Sequence, residues 1–231
     1  MRKSLILAFL FVICIAMAAA GCTSQQNSTK TIVTPTITIA VPDANASQAA
    51  FLALPQAPLN VTETEDILDL QEAEKLTHDL NAALYGMHND LPVFQHIATA
   101  AKVYMAADNV ILQRYEIASP ENVTEGVFTN PVYQQIYTAD INTGLSSATD
   151  ALKYSMKNED MHIADLTAAI GRTDNSDVQF IYRQQLASSR NNLRALNQWI
   201  TAYSGTYTPT YITQSSYNEI ISSPVEQIPV Q

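Results

Sequence analysis

Cysteine is nearly absent from this 231-residue chain: the two residues, Cys14 and Cys22, both lie close to the N-terminus. No residue after Cys22 can form a disulfide, a zinc thiolate or a catalytic thiol, so a folded domain downstream has none of these chemistries. Basic residues are scarce as well, 12 Lys and Arg against 22 Asp and Glu, giving a net charge of −10. Binding to a phosphate backbone and adhesion to anionic lipid both need clustered Lys and Arg. Nucleic acid is therefore excluded as a partner, and the protein surface cannot hold the chain to a membrane. The sequence has no alternating strand pattern, no glycine-rich phosphate loop and no internal repeat. Ser188 and Ser189 lack a Gly-x-Ser-x-Gly elbow, and no His–Asp pair lies nearby, so hydrolase chemistry has no support.

The N-terminus carries what the rest lacks. Arg2 and Lys3 precede an apolar run from about Leu5 to Met17, which closes on Ala19-Ala20-Gly21-Cys22. A short basic segment, an apolar stretch and small residues before a cysteine read as a secretory signal ending in a lipobox. A spanning helix would need about 20 apolar residues. Cleavage before Cys22 would leave a lipidated first residue and place the protein on a membrane, facing outside the cytoplasm, with membrane lipid as its partner through Cys22. An ordinary cleaved signal followed by an incidental cysteine is the alternative. Loss of residues 1–21 removes Arg2 and Lys3 and takes the net charge to −12. Residues 22–60, rich in Thr, Ser, Pro, Ala and Val, are expected to be a flexible tether reaching on the order of 35 Å. The folded domain is expected over 61–221 and a C-terminal tail over 222–231. Asn27, Asn45, Asn60 and Asn122 each head an Asn-x-Ser/Thr sequon, which permits glycosylation in a host that has the enzymes.

Beyond the tether the period becomes helical. Thr62 or Thr64 can cap a first long helix running to about Tyr85 and stopping at Gly86. Pro92 opens a second that reaches about Tyr115. A longer connection follows, containing a short helix from Pro131 to about Asn142. The third long helix spans about Ser146 to Ile170 and the fourth about Ser176 to Tyr203; the remainder reads as extended or loosely helical. Apolar stripes recur at three- and four-residue spacing: Ile67, Leu70 and Leu84; Phe94, Ile97, Ala101 and Ile111; Leu145, Leu152, Ile163 and Leu166; Ile181, Leu193, Leu196 and Ile200. Two hairpins joined by a long connection predict an all-α fold, a ferritin-like four-helix bundle with a short extra helix in the crossover between helices two and three.

The stripes contain polar members. Glu74 falls four after Leu70, Tyr104 three after Ala101, and Asp108 four further on; Glu159 and His162 lie between Leu152 and Leu166, and Asn192 four before Leu196. Glu159-Asp160-Met161-His162 is a Glu-x-x-His, the spacing at which a carboxylate and an imidazole on one helix can reach a common ion. The other reading is structural, with Glu74, Tyr104 and Asn192 hydrogen-bonding one another or some of these side chains pointing to water. His78, His88 and His96 are scattered and read as solvated. Tyr203, Tyr207, Tyr211 and Tyr217 read as residues that pack the tail onto the bundle.

A series of segments carries a resemblance. Gln71-Glu72-Ala73-Glu74-Lys75-Leu76, Leu91-Pro92-Val93-Phe94, Gly126-Val127-Phe128-Thr129-Asn130-Pro131, Glu159-Asp160-Met161-His162, Ser189-Arg190-Asn191-Asn192-Leu193-Arg194 and Tyr207-Thr208-Pro209 resemble, in order, the uncharacterised ferritin-like family known as domain of unknown function 2202. The resemblance implies a metal-binding four-helix bundle with a Glu on helix one, a Glu-x-x-His on helix two, a Glu on helix three and a His on helix four. Glu74 and Glu159 keep the first and third positions. Ala101 and Tyr104 stand at the helix-two pair and Asn192 at the helix-four His, so the family's dimetal site is expected to be lost. His162 stands where the family usually has an acid. The expectation is a non-catalytic binding or structural module with no cofactor and an unidentified protein or small-molecule partner. The alternative is a redox or storage protein holding one iron, manganese or zinc ion through Glu74, Glu159 and His162.

Overall fold

The computed structural model describes residues 34–36, 43–144 and 146–229. Cys22, Asn27 and Leu145, and with them the expected signal and lipid attachment point, lie outside these residues. The described residues form α1 (Ala44–Ala53), α2 (Val61–Met87), α3 (Pro92–Arg114), α4 (Pro131–Gly144), α5 (Ala148–Ile170), α6 (Ser176–Ala202) and α7 (Gln214–Ser222), with no strand among them. No helix among the described residues is long and apolar enough to cross a membrane.

Four long helices close a ring. α2 packs on α3 and α5, and α6 packs on α5 and α3. The two hairpins, α2/α3 and α5/α6, are joined by the crossover that holds α4, which packs on α2 and α5. Every described member of the four apolar stripes is buried, from Ile67 at 2% to Ile200 at 1% exposure. Three- and four-residue spacing puts these side chains on one face of each helix, and the ring gives each face a partner.

The helix starts follow local chemistry. Asn60, rather than Thr62 or Thr64, caps α2: its side chain accepts from the Glu63 amide at 2.9 Å, and Glu63 accepts from the Asn60 amide at 2.8 Å. This reciprocal capping box satisfies two amides at the helix start. Ser147 caps α5 through the Asp150 amide at 3.1 Å. α3 begins without a side-chain cap, on Pro92, whose missing amide needs none. α2 continues through Gly86 to Met87 instead of stopping at the glycine.

Residues 44–53 depart from the flexible coil expected there. Asp43 accepts from the Asn45 and Ala46 amides and starts α1, which packs on α3 and α6 with Phe51 fully buried. Asn45, a sequon residue, is therefore in the first turn of a helix. At the other end, α7 occupies part of the stretch expected to be loosely helical, with Thr213 capping it through the Ser216 amide at 3.1 Å.

The crossover is tied to α2. Glu72 accepts from the Thr129 and Asn130 amides at 2.6 and 2.7 Å, and Gln71 exchanges bonds with Ser119. Buried Lys75 pairs with Asp79, donates to Thr124 O at 3.1 Å and lies 4.5 Å over the Phe128 ring. Asp79 also accepts from the Gly126 amide at 2.9 Å. Gly126 has a φ of 73°, and a Cβ there would stand 2.6 Å from the Tyr137 ring, so both conformation and space require glycine. These contacts bury α2 nearly all round.

Buried Asp160 organises the C-terminal segment. Its carboxylate accepts from the Tyr207 hydroxyl at 2.9 Å and from the amides of Thr210, Tyr211 and Ile212. Tyr217 is buried and donates to Asn197 at 2.9 Å; Tyr203 donates to Asp90 at 3.1 Å. Tyr211 differs from the expected packing role, since its side chain is 44% exposed and only its amide is engaged.

Candidate functional site

The ring encloses a polar layer built in two ladders. Between α2 and α5, Ser155 donates to Asn81 at 2.6 Å and Asn158 donates to Thr77 at 2.8 Å; one turn further, His162 Nε2 stands 3.5 Å from Glu74 Oε2. Residue numbers fall along α2 as they rise along α5, the signature of antiparallel neighbours. Between α3 and α6, Gln185 donates to Asp108 at 2.7 Å and the Tyr104 hydroxyl reaches Gln184 O at 3.4 Å. Asn192 joins the ladders by donating to Glu159 at 3.1 Å.

Every group in this layer is nearly water-free: Glu74, Asp108, Glu159, His162 and Asn192 are each at most 4% exposed. Burial penalises the charged form. It raises the Glu74 carboxyl well above its usual range, and the charges of Asp108 and Glu159 push it the same way. Burial pushes Asp108 up to about 8 against the pull of the Gln185 hydrogen bond, and Glu159 up to about 8 against Ser189 and Asn192. The same cause pushes His162 down to about 4. At neutral pH the layer is thus dominated by protonated carboxyls and a neutral imidazole. Among the described residues no ion pair joins a Lys or Arg to these acids; Lys75 is paired with Asp79 and Arg114 with Asp177.

The layer is incompletely satisfied. Asp108 Oδ2, Glu159 Oε2, both ring nitrogens of His162, Gln185 Oε1, Ser188 Oγ and Asn192 Oδ1 are buried without a hydrogen-bond partner. Buried polar atoms are normally paired with protein or ordered water, so the hydrogen bonding of this layer is left open at these atoms.

The sequence-based candidates fall as follows. Glu74, Glu159, His162, Tyr104 and Asn192 all face the interior, and Ala101 is buried at the helix-two position with no donor to offer. Glu74 and His162 adjoin, but Glu159 is engaged by Asn192. No three His, Cys, Asp or Glu side chains among the described residues are grouped as a metal ion would require. The residues present do not fit a pair of metal ions, which would call for four carboxylates and two histidines. The bonds expected among Glu74, Tyr104 and Asn192 are differently distributed: Asn192 bonds to Glu159 and Tyr104 to the α6 backbone. His78 is half-buried, with Nδ1 2.8 Å from Asp79, whereas His96 is exposed. Asn122 is exposed and folds back to accept from the Thr124 amide at 2.9 Å.

The sequence reading named Asp108 as a stripe residue without giving it a role. It missed Gln185, Thr77, Asn81, Ser155 and Asn158. The signal was available in part: Thr77 and Asn81 lie one turn apart on α2, and Ser155, Asn158 and His162 repeat at three and four on α5.

Residues 63–224 match the family described as "Uncharacterized protein domain (DUF2202)", a span that takes in nearly all of α2 and the whole of α3 to α7 but not α1. The chain is 38% identical over 176 residues to uncharacterized protein MJ0754 of Methanocaldococcus jannaschii, covering 76% of this chain and 95% of that protein. A crystal structure of hypothetical protein MJ0754 from Methanococcus jannaschii aligns with a TM-score of 0.73 at 38% identity, covering 75% of this chain and 99% of the other. With the match running over most of the folded domain and a relative similar across nearly its whole length, the chain belongs to the DUF2202 family.

Proposed function

We propose that this protein is a lipid-anchored, extracytoplasmic ferritin-like domain that acts as a non-catalytic binding or structural module, its bundle centre converted from a dimetal site to a hydrogen-bonded polar layer. What supports the reading is that non-ligating or neutral residues stand at positions where the resemblance implies metal ligands. Ala101 has no ligating atom, Tyr104 is directed to a backbone carbonyl, and Asn192 donates to the carboxyl it would otherwise share an ion with. The lipobox ending at Cys22 supports the anchor, and the acidic surface leaves lipid as the means of attachment.

A second reading is supported by the orphaned atoms. Glu159 Oε2 and both nitrogens of His162 lack partners, and Glu74 lies 3.5 Å from His162; together they could take one iron, manganese or zinc ion after a side-chain rearrangement.

Elemental analysis of the purified full chain, as isolated and after incubation with iron, manganese or zinc, separates the two. The first reading expects no stoichiometric metal. One ion per chain, lost in Glu159→Ala, would replace it with the second. Membrane fractionation tests the anchor: Cys22→Ser should move the protein from the membrane to the soluble fraction, and unchanged membrane association would refute lipid attachment at that residue.

A further inference from the structure

α1 lies outside the segment shared with the family, yet it is docked on the bundle at a specific place. Its buried side chains are Ser47 and Phe51. Ser47 donates to Gln184 Oε1 at 2.5 Å, and the same Gln184 donates to Pro229 O, so the N-terminal helix and the C-terminal tail meet on one α6 side chain. The C-terminal end of α1 is held by Arg114, which donates to Phe51 O at 2.8 Å and Leu54 O at 2.6 Å and lies 4.9 Å over the Phe51 ring.

Beneath α1 the packing is incomplete. A cavity of about 60 Å³ lies between it and the α3–α6 groove, lined by Ser47 and Phe51 above and by Val103, Tyr104, Ala107 and Gln184 below. Tyr104 forms part of this floor and also belongs to the polar layer, where its hydroxyl reaches Gln184 O and lies in the field of Glu74. Tyr104 is thus the residue that the cavity under α1 shares with the buried polar layer.

Ten residues are too few to be a stable helix without the surface they dock on. Pro55 and Pro58 in the connection to α2 separate α1 from the bundle helices. The contacts that hold α1 are concentrated at Ser47, Phe51 and Arg114, whereas α2, α3, α5 and α6 pack on one another without it.

We propose that α1 is a strap that gates solvent and small-solute access to Tyr104 and the polar layer through the α3–α6 groove. The strap opens by undocking as a unit. The proposal stands on the strap's geometry and does not require the layer to hold an ion.

The test is thiol labelling of the full chain carrying Cys14→Ser and Cys22→Ser, purified in detergent, with one introduced cysteine. Ala107→Cys reports the cavity under the strap, and Ala151→Cys, fully buried on α5, reports the ring. A small methanethiosulfonate reagent should label position 107 slowly in the otherwise unaltered chain. Adding Phe51→Ala should accelerate this about 5- to 30-fold, and Ser47→Ala should do so by less, with position 151 protected throughout. Equal labelling of position 107 with and without Phe51→Ala would overturn the proposal. So would equal acceleration at positions 107 and 151, because the strap would then be part of the global fold and not a gate.

Discussion

Three buried carboxyls with no Lys or Arg partner among the described residues make stability fall as pH rises from about 6.5 to about 8. Consider Asp108 and Glu159, each pushed up to about 8 by burial. In the unfolded chain both are ionised throughout this interval, whereas in the native state they keep their protons until its upper end. The native state therefore binds more protons, and the slope of stability against pH is negative. One pKa unit corresponds to about 1.4 kcal/mol. For a carboxyl with a native pKa of about 8, the loss across the interval is on the order of 1 to 2 kcal/mol, and the two together lose about 3 kcal/mol. Glu74, displaced in the same direction, adds to this. His162, pushed down to about 4, is neutral across the interval; its own contribution is lost at lower pH, as pH falls from its ordinary value through about 4.

The assay is chemical denaturation at the two pH values and fixed ionic strength, with midpoints converted through the denaturant slope. A loss of about 3 kcal/mol is a large part of a typical domain's total stability, so the midpoint should move visibly. Asp108→Asn and Glu159→Gln should each remove about half of that roughly 3 kcal/mol, because neither amide titrates, and leave the share of Glu74. A parent protein equally stable at both values, or more stable at the higher one, would refute the reasoning. It would mean that the carboxyls are already ionised in the native state and compensated by a bound cation, the outcome the metal-binding reading requires.

Asn60→Ala removes the N-cap of α2 and should cost about 1 kcal/mol, read as a fall in the midpoint of thermal unfolding. Lys75→Met leaves Asp79 buried without its ammonium partner; the expected cost is about 3 kcal/mol by denaturant titration, well above that of an exposed ion pair. Asp160→Ala strips one hydroxyl and three amides of their acceptor, and hydrogen exchange should accelerate over residues 207–222 while α2 and α3 stay protected.

The parts of the fold legible in the sequence were those fixed by period and punctuation. Phe94, Ile97, Ala101 and Ile111 share a face because of their spacing alone, and Pro92 and Pro131 mark helix starts because of their backbone chemistry. α1 was not legible for the opposite reason: Ala44–Ala53 has no continuous apolar stripe, and its helix is held by Phe51, Ser47 and a distant Arg114 that only the folded ring brings near. Asn60, Thr62 and Thr64 are all capable N-caps by residue type, and only the folded backbone selects Asn60, with Glu63 three residues on to close the capping box. Period assigns one buried stripe per helix and gives no reason to bury Gln71, Glu72 and Lys75. The crossover covers α2 on a second side and takes these polar groups into bonds.

The candidate site shows the same division. Spacing was enough to turn Glu74, Asp108, Glu159 and His162 inward, since each falls on an apolar stripe, but spacing along one helix does not determine which side chain meets which across the ring. That depends on the relative axial positions of α2 and α5 and of α3 and α6, which pair Thr77 with Asn158 and Asp108 with Gln185. The consequence for function is that Asn192 and Gln185 should be considered together. Each is an amide on α6 that donates to a carboxyl and leaves its own carbonyl oxygen unpartnered in the interior. A layer designed only to fill the core would more readily be apolar, because replacing both members of a buried polar pair costs little. Three acids and two such amides with acceptors left open therefore cost stability that an apolar layer would not, and the acids set the pH dependence of the domain.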